Sequence, residues 1–171
     1  MSKIYFFAVL IVFLMLFSCK KEQEYPVIPV IEYKEFLYTP SSSYGYFVFK
    51  FTDGDGDIGL RQTDKYPPYD PESYYYNNFH ICIYERINGN YQPLTVFNDS
   101  TQKNDTISFP YRIPYIEPIS ANGSLKGELE TKIDVGLMLP YLHSDTLQFE
   151  AFLFDRKLHK SNVIRTPDII F

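Results

Sequence analysis

The sequence predicts one all-β domain, an antiparallel β-sandwich of about seven strands, on three observations. Residues 44–52 set Phe47, Phe49 and Phe51 at every second position, the period of a strand with one buried face. Residues 125–135 alternate Lys126, Glu128, Glu130, Lys132 and Asp134 with Leu125, Gly127, Leu129, Thr131, Ile133 and Val135. One face is charged and the other mostly apolar, the pattern of a half-buried antiparallel strand. Turn dipeptides separate such runs, among them Asn88-Gly89 and Asn122-Gly123, whose residues accept the positive φ of tight turns. Composition agrees: 45% hydrophobic and 18% aromatic residues mark a globular chain, and Tyr and Phe dominate over the helix formers Ala, Gln and Met.

The chain divides into residues 1–18, 19–29 and 30–171. Lys3 supplies a positive start, and residues 4–17 are apolar throughout except for Tyr5. At a helical rise this run is roughly 21 Å long, short of the ~30 Å hydrocarbon core, so it reads as the apolar part of a signal peptide. The residues that end it, Leu16-Phe17-Ser18-Cys19, resemble the bacterial lipobox, with Phe17 bulkier and Ser18 less usual than the common pattern. The resemblance implies diacylglycerol on the Cys19 sulfur and cleavage just before it. The alternative is an incidental cysteine near an ordinary cleavage site; the charge, the run length and the position of Cys19 all favour lipidation. Several acyl chains at about 0.8 kcal/mol per buried CH₂ hold a protein firmly to a membrane. Lipidation of Cys19 leaves Cys82 without a disulfide partner, and its neighbours Phe79, Ile81 and Ile83 suit a packed core thiol.

The formal charge of −5 becomes −6 once Lys3 is removed with the leader. A mildly acidic domain lacks the clustered basic surface that nucleic acid requires.

Residues 20–29 are charged and then punctuated by Pro26 and Pro29, as suits a short tether. Residues 79–87, Asn88-Gly89 and residues 91–97 read as a hairpin. Residues 146–154 are apolar on both faces and predict a central strand, with residues 162–166 and 169–171 as closing segments. The only helix-like stretch, residues 135–143, is limited by Pro140 to about a turn. The longest irregular piece, residues 61–78, carries Tyr66, Tyr69, Tyr74, Tyr75 and Tyr76 among prolines.

One feature is chemically loaded. Asp53-Gly54-Asp55-Gly56-Asp57-Ile58-Gly59 follows directly on the Phe-rich strand. Three carboxylates at alternate positions repel one another in a dry loop. A hard cation with six to eight oxygen ligands removes that repulsion, and the glycines let the side chains converge. The segment resembles the acidic half of an EF-hand loop but lacks Gly at its sixth position (Ile58), has Asp64 rather than Glu at its twelfth, and has no flanking helices. It therefore predicts a calcium loop of another kind, with Asp53, Asp55 and Asp57 as ligands and Asp64 and Asp155 as further candidates. The alternative is a solvated Asp/Gly turn without metal.

The lipobox, the Phe-rich strand running into "FTDGDGDIGL", the later "SLKGELETKIDV" and the final "AFLFDRKLHKSNVIRTPDI" together resemble an uncharacterised lipoprotein family of the Bacteroidetes. The resemblance covers most of the chain after Cys19 and implies an immunoglobulin-like (cadherin- or fibronectin-like) sandwich. It departs at Leu158-His159, where such sandwiches usually have Gly-Asn. It also implies that Asp105-Thr106-Ile107 and Asp145-Thr146-Leu147 match that phylum's O-glycosylation signal.

For function, His80, His143 and His159 are scattered without zinc-site spacing, and no nucleophile elbow occurs. Glu128 and Glu130 share a strand face that solvent explains fully. The sequence therefore predicts a non-catalytic, calcium-stabilised module, lipid-anchored at the outer membrane and facing the periplasm or the cell surface, with an unknown protein or glycan partner. The alternative is a glycan-binding lipoprotein of a polysaccharide-uptake system, stacking sugars on Tyr66, Tyr69, Tyr74, Tyr75 and Tyr76.

Overall fold

The computed structural model describes residues 24–120 and 122–171; the expected signal segment, Cys19 and the start of the tether lie outside the described residues. Among the described residues eleven strands follow in order: β1 (Val30–Tyr38), β2 (Tyr44–Asp53), β3 (Phe79–Ile87), β4 (Asn90–Pro93), β5 (Thr95–Asn98), β6 (Lys103–Thr106), β7 (Ser108–Tyr111), β8 (Leu125–Asp134), β9 (Thr146–Leu153), β10 (Ile164–Arg165) and β11 (Ile169–Ile170).

The alternating hydrophobic pattern resolves into two facing antiparallel sheets. One has the order β1-β2-β8; the other has β10-β9-β3-β4, with β11 also on β9 and β7 also on β3. This is an all-β sandwich, and its strand order matches the A-B-E and C-F-G arrangement of immunoglobulin-like folds. The count exceeds the expected seven for two reasons. The closing edge strand is split into β10 and β11, both on β9. The edge strand beside β3 is interrupted. In it β4 pairs with residues 84–87 of β3, and β7 pairs with residues 79–82. Between them the Leu94 amide bonds to the Ile83 carbonyl (2.9 Å) and the Ile107 amide to the Leu94 carbonyl (2.8 Å). The chain leaves the sheet at this point as the separate hairpin β5–β6.

The expected hairpin strand over residues 91–97 therefore ends at Pro93. Leu94, fully buried, anchors the chain in the core, and β5 turns out into solvent. The turn itself is as the sequence predicts, with Asn88 and Gly89 at φ 50° and 81° joining Ile87 to its partner Asn90.

The core lies between the sheets. Phe47, Phe49 and Phe51 of β2 meet Phe79, Ile81 and Ile83 of β3 and Leu147, Phe149, Ala151 and Leu153 of β9. Phe49 stacks on Phe79 with ring centroids 4.5 Å apart. Each such buried side chain contributes roughly 1.5–3 kcal/mol by leaving water. β8 keeps the predicted alternation, Leu125 and Ile133 buried and Lys126, Glu128, Glu130 and Lys132 exposed. β9 lies between β10 and β3, which accounts for its apolar character. Residues 135–143 form two short 3₁₀ turns, Val135–Leu137 and Leu139–Tyr141.

Candidate metal centre

Strand phase decides where the acidic loop begins. The inward row of β2, Phe47, Phe49 and Phe51, continues to Asp53, which is fully buried. The inward row of β9, from Leu147 through Leu153, continues past the strand to Asp155, only 1% exposed. Core-facing rows from both sheets thus end in a buried carboxylate at the same end of the sandwich. The two are close enough for the charge on Asp155 to raise the pKa of Asp53.

Beyond Asp53 the loop curls back. The Asp57 amide donates to Asp53 Oδ2 (2.7 Å), and Gly56 takes φ 67°, a left-handed turn that glycine adopts without penalty. Ile58 then drops into the core, fully buried. The result gathers Asp53, Asp55 and Asp57, one carboxylate oxygen of each lying within 4.8 Å of the others. Asp53 Oδ1, Asp55 Oδ1 and Asp57 Oδ1 are buried and accept no hydrogen bond from the described residues. Buried acceptors left unsatisfied are costly and rare. Asp53 shows the strain: burial, with the neighbouring carboxylates adding to it, pushes its pKa up to about 7 against the hydrogen bond from Asp57. Asp57 is also raised, by burial first and then by Asp155 and Asp55.

The donor set is three carboxylates without nitrogen or sulfur, the chemistry of a hard divalent cation, and calcium tolerates the irregular geometry of such a loop.

Of the two further candidates, neither joins the group. Asp155 stands behind it with its oxygens engaged: Oδ1 accepts from the Lys157 amide (2.9 Å) and the His159 amide (2.7 Å), and Oδ2 contacts His159 Nδ1 (2.8 Å). It shapes residues 155–159 into a turn, with Leu158 at φ 66°. Asp64 closes its own turn, Oδ2 accepting from the Arg61 amide (2.8 Å).

The 155–159 turn contributes what the sequence reading missed. The Arg156 amide donates to the Asp57 carbonyl (3.1 Å), and the Lys157 ammonium pairs with Asp55 and lies 3.9 Å from Asp57. Lys157 sits two residues from Asp155, so once that strand end is placed beside the loop a basic partner follows from the sequence.

The tyrosine-rich loop covers the outer face of the second sheet at this same end. Tyr74 stacks on His80 (centroids 4.6 Å apart), and His80 stacks on Phe152 (5.3 Å). Tyr75 meets Phe154 edge-on at 5.1 Å. The Tyr69 hydroxyl donates to the Arg156 carbonyl. Arg112, also missed, pins the loop: its guanidinium donates to the carbonyls of Tyr76, Asp64 (2.6 Å) and Arg61 (3.1 Å) and lies 4.7 Å from the centre of the Tyr76 ring. Tyr66 points outward, 79% exposed.

Comparison with family models, curated proteins and solved structures finds no match to this chain.

Proposed function

We propose that this chain is a non-catalytic, lipid-anchored module of the cell envelope, held at the outer membrane through Cys19 and stiffened by one calcium ion at Asp53, Asp55 and Asp57. The observation that carries the reading is the set of buried carboxylate oxygens without partners at the end of the core. Three converged acceptors of this kind are costly to leave unsatisfied, and the Lys157 ammonium, paired with Asp55 and 3.9 Å from Asp57, offsets only part of their charge.

The ion would fasten the end of β2, and with it the Arg156–Asp57 and Lys157–Asp55 links to the opposite sheet. Asp155 supports the site by holding the 155–159 turn against it. The histidines have structural roles on this reading: His80 in the aromatic stack, His143 beside buried Glu85 (3.1 Å) and His159 beside Asp155. The tyrosine-rich loop is a cover for His80, Phe152 and Phe154, which leaves Tyr66 and the outer face of Tyr74 for contacts with other molecules.

The experiment is thermal unfolding of the purified chain in excess calcium and again after chelation. Calcium at about a hundred times its dissociation constant adds about 2.7 kcal/mol and raises the midpoint by several degrees. An identical midpoint in both conditions overturns the calcium part. The anchor is tested separately: Cys19→Ala moves the protein from the membrane fraction to the soluble one.

A further inference from the structure

The loop that gathers the carboxylates also grips the chain that leads into the domain. Gly54 lies between Asp53 and Asp55, and its amide donates to the Pro26 carbonyl (2.7 Å). The fit is close enough to exclude a side chain. A Cβ at Gly54 would overlap the Tyr25 carbonyl oxygen and stand 2.8 Å from the Pro26 carbonyl carbon and oxygen. A few residues on, Pro29 is buried and Val30 begins β1 beside Thr52. Tyr25 lines a recess together with Glu32, Lys50, Thr52, Lys126 and Glu128 of the first sheet.

We infer that cation binding at Asp53, Asp55 and Asp57 clamps residues 24–29 onto the sandwich through Gly54. The inference rests on the calcium reading above and adds a coupling to it. Gly54 lies between Asp53, the last residue of β2, and Asp55, so the loop conformation that converges those carboxylates is also the one that presents its amide to Pro26. Without a cation the buried carboxylates repel one another, and the loop has reason to open. With a cation bound, both neighbours of Gly54 are fixed and the Pro26 hydrogen bond persists. Linkage is reciprocal, so the docked segment strengthens cation binding by the factor by which the cation strengthens docking. Release of residues 26–29 adds about 13 Å of extended chain between Cys19 and the domain. Calcium thereby sets how far, and how freely, the domain stands from its anchor.

The test is amide hydrogen exchange on the full chain, read at residues 24–30 and at Gly54, in calcium and after chelation, with calcium affinity measured by calorimetry in parallel. The expected result is about tenfold greater protection of this segment in calcium. Gly54→Ala keeps the three carboxylates but drives Tyr25 and Pro26 away. It should abolish the calcium-dependent protection of residues 24–30 and weaken calcium binding by the same factor. Failure of the wild-type chain to bind calcium overturns the earlier reading and this one with it. Calcium binding with unchanged protection at residues 24–30 overturns the clamp alone, as does a Gly54→Ala protein that keeps wild-type protection and affinity. If Gly54→Ala fails to fold, the wild-type comparison with and without calcium still decides the matter.

Discussion

Two rows of alternating carboxylates, Glu128 and Glu130 on β8 and Asp53, Asp55 and Asp57 after β2, meet opposite fates in one small domain. The β8 row faces water. Lys34, on β1 at the edge of the same sheet, reaches across β2 to Glu128 at 2.7 Å, and that hydrogen bond holds the Glu128 carboxyl below its usual range. The other row starts on the core side of its strand, and there burial drives Asp53 up to about 7. Spacing is the same; phase differs. Acidic alternation by itself says little, and the side of the sheet on which it begins decides whether it is a wet face or a buried cluster.

The contrast can be broken in steps of decreasing size. Asp155→Ala removes the acceptor that shapes the 155–159 turn and should cost about 3 kcal/mol in urea unfolding, because the His159 and Lys157 amides lose their charged partner. Asp53→Asn should abolish the calcium-dependent gain of about 2.7 kcal/mol expected at saturating ion. In chelator at pH 8 the same variant should be more stable than wild type, by roughly 2 kcal/mol. The sign follows from the raised pKa: the stability linked to Asp53 is full below its ordinary value of 3.8 and is lost progressively as pH rises through about 7, whereas an amide never ionises.

His80 tests whether burial acts alike on a group of opposite charge. Burial lowers its pKa, so the folded chain keeps His80 neutral at pH values where the unfolded chain protonates it. Its contribution is full above its ordinary pKa and is lost as pH falls below it. His80→Phe keeps a ring between Tyr74 and Phe152, and its stability relative to wild type should rise as pH is lowered from 7 to 5 in chemical denaturation. The smallest effect belongs to the wet row. Glu128→Gln should move the melting temperature by about 1 °C or less, and high salt should erase the change.

Much of this was legible in the sequence, because period two is a direct statement about strand faces. The alternation in β2 and β8, the Asn88-Gly89 turn and the central place of β9 came out as read. The convergence of the acidic loop was legible only through its spacing; the burial of Asp53 follows from extending the Phe47–Phe49–Phe51 row one step further. What stayed hidden depends on distant partners. Nothing local to residues 91–97 says that Leu94 will be held against Ile83 and β5 sent outward. The role of Lys157 needs β9 placed beside β2, and the role of Gly54 needs the return of residues 24–29. The tyrosines illustrate the same limit, since their spacing does not tell a sugar platform from a cover over His80 and Phe154.

The interrupted edge strand has a consequence for how such a chain can vary in length. Leu94 stands opposite Ile83, and Ser108 is paired with Cys82, the next position along β3. Joining Leu94 directly to Ser108 would therefore continue a single uninterrupted strand in register. The β5–β6 hairpin is in this sense a graft on a sheet already complete without it. Segments of other lengths, or foreign ones, can be spliced at that seam while the two layers and the acidic end of the molecule keep their places.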